Sequence, residues 1–234
     1  MPGHAFEAEW RKVAMEISSA VVPLALAAAA SPLPLLGLLL LLLTPRAVAN
    51  GLAFTSGWSA ALLVVGAGVL AVFGSDSALS RSGVYVAPVE ALLGVVLVLL
   101  AGWHWRRRPR SGSAVRVPGW LAAADDCTPA RAFAVGIVMV VLNPKVLTIV
   151  VVAATTIGAG SADVAIRGMA LLLFAGLGSV GVGIPLALRV ALGMRATRRL
   201  SHWRNWLVSN GAAVTTTVLA ALGLLLLTRA AAAI

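Results

Sequence analysis

Six stretches of the chain stay apolar for about 20 residues or more, the length a helix needs to cross a bilayer's hydrocarbon core. They cover 17–43, 47–73, 84–103, 132–157, 164–190 and 206–227. A polar segment, HWRRRPRSGSAVRVPGWLAAADDCTPAR, separates the third from the fourth. Isolated strands would leave backbone groups unsatisfied in lipid, so each stretch is read as a helix. The expected fold is an all-α polytopic membrane protein with six transmembrane helices. Before them, residues 1–16 form an outer segment whose FEAEWRKVAMEI could lie as an amphipathic helix on the membrane surface. It does not read as a signal peptide. Glu7, Glu9 and Glu16 dilute any basic start, and the apolar run continues to Leu43.

The pattern repeats. Spans one to three (17–103) resemble spans four to six (132–234), with 104–131 as a basic linker. The first span of each set is interrupted near its middle, by Ser31-Pro32-Leu33-Pro34 and by Asn143-Pro144-Lys145. The second of each is glycine-rich: Gly51, Gly57, Gly66 and Gly68, then Gly168, Gly176, Gly178, Gly181 and Gly183. The third carries a polar residue early, Glu90 or Asn210. Three is odd, so the second set enters the membrane upside down: a 3+3 inverted repeat with helices 1 and 4 broken at mid-membrane. Proline removes a backbone donor and opens the helix, and the freed groups must face protein or water. In secondary transporters such paired breaks line a substrate site. The plainer alternative is that these prolines only bend packed helices.

Composition agrees with a membrane protein. Of 234 residues, 60% are hydrophobic and 11% charged, with a mean hydropathy of +0.99, against about 25% charged in soluble domains. The net charge of +10 is a matter of topology rather than of nucleic-acid binding. Twelve arginines fall on one side: Arg46, six between Arg106 and Arg131, and five between Arg189 and Arg204. The other side holds Arg11, Lys12, Arg81, Arg167 and Arg229. The richer side should be cytoplasmic, with both termini outside, in a plasma membrane. Trp103, Trp105, Trp120, Trp203 and Trp206 flank it as an interfacial belt. The single cysteine, Cys127, excludes a disulfide framework. Three scattered histidines make no metal site, and no P-loop, GxSxG or HExxH is present. No cofactor and no enzyme activity are expected.

Lys145 is the most informative residue. It lies about fourteen residues into span four, where a charge costs at least ~2.5–3.5 kcal/mol on insertion scales. Thr148 and Thr155 follow at helical spacing and can share its face. Glu90, inside span three, could take a coupling proton or pair with Lys145; a structural ion pair is the plainer role. Asn210 and Thr215-Thr216-Thr217 read as helix-packing groups.

With SPLPL in span one, TPRAVANGLAFTSGW running into span two and LNPK in span four, the chain resembles the lysine-exporter superfamily. Within it, the chain is similar to the actinobacterial glycolipid-addressing branch, the Gap and sulfolipid-addressing (Sap) proteins. The likeness covers nearly the whole chain in layout. It implies a 3+3 bundle that moves a complex glycolipid toward the cell surface. The matched positions are Ser31, Pro32 and Pro34; Thr44, Pro45, Arg46, Asn50 and Gly51; and Asn143, Pro144 and Lys145. The proline before Lys145 departs from the glycolipid branch and keeps an amino-acid exporter in view.

Three functions follow as expectations. In the first, the protein is a transporter or flippase for an anionic lipid or glycolipid. Lys145, Asn143, Pro144, Ser31, Pro32, Pro34, Thr148, Arg46 and Asn50 form its substrate site, and Glu90 is the coupling group. In the second it is a proton-coupled exporter of an amino acid or other small solute. In the third it is a non-transporting scaffold of a lipid-export complex. Membrane lipids are the expected partners, with a homodimer or export machinery beside them and no nucleic acid.

Overall fold

The computed structural model describes residues 21–73, 86–106, 127–160 and 163–232. Residues 1–16, Asp125, Asp126, Trp120 and Arg107 to Arg116 lie outside them, as does the side chain of Glu90. The described residues are all helical and irregular, with no strand. In chain order the helices are α1 Val21–Ala29, α2 Pro32–Leu41, α3 Ala47–Phe73, α4 Val86–Arg106, α5 Pro129–Val141, α6 Pro144–Gly160, α7 Val164–Leu192 and α8 Thr197–Ala232. A single 3-10 turn, Gly193–Ala196, links the last two.

Two runs, Ala47–Phe73 and Val164–Thr228, are long and apolar enough to cross a membrane. Two bent pairs raise that number to four: α1 with α2 at 45° and α5 with α6 at 70°. Both bends sit where the sequence places the interruptions. A residue before proline is pushed out of the α region. Ser31 is accordingly extended, at φ −80° and ψ 113°, and Pro32 opens α2 at a position where its missing N–H costs nothing. Pro144 opens α6 in the same way, with Asn143 Oδ1 accepting from the Val146 N–H at 3.5 Å. Thr128 caps α5 and Asp163 caps α7 through their side-chain oxygens.

The 65 residues from Val164 to Thr228 would reach about 100 Å if straight, over three times a bilayer core. The chain reverses instead. Gly193 takes φ +53°, the left-handed region that glycine enters without cost, and ends α7. The expected polar loop between spans five and six is thus a four-residue turn. Arg198, Arg199 and Arg204, expected in that loop, lie on α8. Arg189, also expected there, is buried within α7. Its guanidinium donates to Gly193 O (2.6 Å), Thr197 Oγ1 (3.3 Å) and Met194 Sδ (3.3 Å), tying the turn to the helix before it. Arg189→Met is expected to cost about 1–3 kcal/mol by leaving those acceptors unsatisfied. Hydrogen exchange should then quicken in residues 190–198 first.

Helix pairing fixes directions. Along α3 and α7, Gly51 faces Leu186, Ser59 Oγ meets Ser179 Oγ at 2.8 Å, and Gly66 faces Leu171, so the two are antiparallel. α4 and α8 are antiparallel as well, through Gly94 against Leu227 and Gly223 against Val98. α3 and α5 start together, joined by Asn50 Nδ2 to Cys127 O at 2.9 Å, and cross where Gly57 meets Phe133. Arg46, Arg131 and the turn at Arg195 therefore share one end of the molecule, whereas the register of α4 on α8 sets Arg106 roughly 27 Å along α8 from Thr197. Of the glycines expected to bring helices close, Gly51, Gly57, Gly66, Gly178 and Gly181 do so. Gly68, Gly168, Gly176 and Gly183 face open space.

The core is built from side chains such as Phe54, Trp58, Phe174, Leu62 and Ile149, each 0–1% exposed. Large apolar side chains also cover the exterior: Val64 is 70% exposed, Leu99 66% and Leu172 60%. Water penalises such a surface and lipid tails do not.

Candidate functional site

Five buried side-chain atoms have no hydrogen-bond partner among the described residues: Ser31 Oγ, Asn50 Oδ1, Thr55 Oγ1, Lys145 Nζ and Arg189 Nε. Buried polar groups are normally paired, so these mark where an unusual demand is made of the fold. Three of them, Ser31, Asn50 and Lys145, are residues singled out in the sequence.

Lys145 is the second residue of α6 and is only 7% exposed. Val146, Ile149 and Val150 around it on the helix are fully buried. The 13 residues of α5 carry the chain about 20 Å inward before the bend, so Lys145 lies deep along the bundle. Its ammonium sits on the first turn of a helix, where unpaired amide N–H groups already carry partial positive charge. Two positive contributions meet at this helix start, with no carboxylate bonded to Lys145 among the described residues. Such a spot favours an anion. Thr148 donates to Pro144 O at 2.7 Å, and Thr155 to Val151 O at 3.0 Å. Both hydroxyls are therefore turned onto their own helix, as packing residues.

Ser31, Pro32 and Pro34 occupy the matching start of α2, all buried, with Ser31 2% exposed. Arg46 and Asn50 form a separate group at the far end of α2, which is ten residues long, about 15 Å away. Arg46 is exposed in the turn before α3. Asn50 is fully buried and holds the start of α5 through Cys127 O. Asn50→Ala removes that tie and is expected to cost about 1–2 kcal/mol, read as a lower melting temperature. Glu90 falls in α4; its side chain is outside the described residues.

Sequence reasoning missed Arg189 as a structural group because hydropathy ended the span beside it. The signal available was a lone arginine four residues ahead of a glycine, a helix-end arrangement. It also missed Gly136, whose α-carbon lies against the Phe54 carbonyl and Trp58 N. No cluster of three or more His, Cys, Asp or Glu side chains that could hold a metal occurs among the described residues.

Neither a curated protein nor a solved structure matches the chain. A family model described as "Sap, sulfolipid-1-addressing protein" matches residues 21–232. That match spans both bent pairs, the buried lysine and the arginine-bearing turn, and the chain belongs to the sulfolipid-1-addressing protein family.

Proposed function

We propose that this protein binds an anionic glycolipid within the plasma membrane and carries it toward the cell surface, with Lys145 holding the head group. The observation that carries this reading is a buried ammonium without a partner among the described residues, on the first turn of a half-helix. A sulfolipid head group bears the complementary charge, and the family's description names such a lipid. Ser31 and Asn143, at the two breaks, would supply uncharged hydrogen bonds to the sugar, with Pro32, Pro34 and Pro144 keeping the breaks open. Thr148 shapes the wall beside Lys145, and Glu90 is the candidate coupling group. Arg46, at the exposed end, would gather the lipid from the inner leaflet, aided by Asn50 behind it.

Alternating exposure of the breaks would follow from an inverted repeat. Counting each bent pair, α3, α4, α7 and α8 as one span each gives six. Gly57 of α3 presses on Phe133 in α5, and Gly181 of α7 presses on Ala29 in α1. Each half thus embraces the first helix of the other, as an inverted repeat requires. The shared end bearing Arg46, Arg131 and Arg195 is the cytoplasmic one.

Translocation tests the reading. In proteoliposomes, wild-type protein should move a fluorescent sulfated glycolipid between leaflets, and Lys145→Met should slow it at least ~10-fold. Equal rates would overturn the role of Lys145. Cys127 tests the orientation, being the sole cysteine of the sequence. An impermeant maleimide should label it only from the cytoplasmic side. Burial raises its thiol pKa, against the lowering pull of Arg131. Less thiolate is then present at neutral pH than in a free cysteine, so labelling starts slowly and rises about tenfold per pH unit below that pKa.

A further inference from the structure

An open groove of about 500 Å³ runs between α2, α7 and α8, within the range of ligand-binding clefts. Its floor is apolar, formed by Leu35, Leu39, Ile184 and Pro185. His202 and Trp203 stand at one end and also line a second recess of about 460 Å³, which holds Arg198 and Arg199. The apolar trough and the basic recess thus share His202 and the half-exposed Trp203 as common walls. No acidic residue follows Asp163 in the sequence, so α7 and α8 offer these arginines no carboxylate of their own. Both are exposed. Arg204, about a turn and a half on, instead donates to Asn205 Oδ1 at 3.1 Å.

We infer that this groove is a docking site for an anionic membrane lipid, its acyl chains along Leu35, Leu39, Ile184 and Pro185 and its head group on Arg198 and Arg199. The match is one of charge and of polarity along a single direction: apolar trough, aromatic join, cationic recess. Trp203 belongs at such a boundary because its ring is apolar and its N–H is not. Pro185 shapes the floor, since it leaves a carbonyl of α7 without an amide donor and loosens the helix there. The site lies at the arginine-bearing end, so it would serve as the loading position from the inner leaflet. The inference takes its ligand from the lipid-carrying reading above but does not depend on Lys145.

Photocrosslinking separates the two. The full-length protein in nanodiscs is given phosphatidylglycerol with a diazirine-bearing acyl chain, or the phosphatidylcholine equivalent, and adducts are mapped by peptide mass spectrometry. The anionic probe should label the peptides containing residues 35–39 and 184–207 at least about fivefold more than the zwitterionic one for each arginine engaged. R198Q/R199Q, a change at two exposed positions, should erase that preference. K145M should leave it intact. Equal labelling by both probes in the wild type would overturn the inference. So would adducts spread evenly over exterior positions such as Val64 and Leu172, or a preference that survives R198Q/R199Q. A preference abolished by K145M alone would put the head group at Lys145, overturning the groove and supporting the central reading. Groove labelling that persists while K145M translocates lipid normally would do the reverse.

Discussion

Lys145→Met is expected to make the purified protein more stable in lipid-free detergent while weakening its response to anionic lipid. The wild-type ammonium is buried beside Val146 and Ile149 with no partner among the described residues. On insertion scales such a charge costs about 2.5–3.5 kcal/mol, whereas methionine of similar length packs there as an apolar chain. The melting temperature should rise by roughly 5 °C. In the R198Q/R199Q background, which removes the groove's cations, added sulfated or phosphorylated lipid should then stabilise the protein bearing Lys145 by mass action, about 2.7 kcal/mol at a hundred times Kd, and leave the Lys145→Met form unmoved. A residue whose removal improves the fold and abolishes a ligand effect is kept for the ligand. A structural lysine predicts the opposite sign, a lower melting temperature on substitution.

The second large effect concerns the crossing of α3 and α5. A Cβ added at Gly57 would strike the Phe133 carbonyl, with its carbon only 2.9 Å away. At Gly136 it would strike the Phe54 carbonyl, with Trp58 N at 2.8 Å. Backbone cannot swing aside as a side chain does, so the helices must separate along their length. Overpacking of this kind costs about 1–3 kcal/mol for a methylene in a core, and Gly57→Leu or Gly136→Leu should exceed that range and leave little folded protein on size exclusion. Gly68→Ala and Gly176→Ala are the controls. Both face open space, and each should be neutral or stabilise by about 0.5–1 kcal/mol. The four results together separate close helix approach from a general dislike of changes in glycine-rich helices.

What could be read in advance follows from which interactions are local. The bends at Ser31-Pro32 and Asn143-Pro144 were legible because proline acts on its own backbone and the residue before it. The bounds of α3, Ala47 and Phe73, were legible as well, because the apolar run starts and stops at them in the sequence. The end of α7 and the start of α8 were not. Hydropathy treats Arg189, Arg198 and Arg199 as water-seeking and assigns them to a loop. Helix propensity does not object to arginine, and no glycine or proline interrupts 197–210, so α8 begins nine residues before the apolar stretch does. Glycine function was half legible: the sequence shows where close approach is allowed, and only the fold shows which neighbour arrives. Gly181 meets Ala29 while Gly183, two residues on, meets nothing. Lys145 stood out in both views because burying a charge is costly wherever it happens. The groove beside Trp203 was invisible, since one of its walls, α2, lies far in the sequence from α7 and α8.

Native mass spectrometry of gently purified protein, wild type beside Lys145→Met, tests the central claim most directly. The wild type should retain one anionic glycolipid or phospholipid more than the variant, identifiable on release, while a lipid in the groove beside Trp203 stays with both. Anionic lipid held in the same number by both proteins would contradict Lys145 as the head-group anchor.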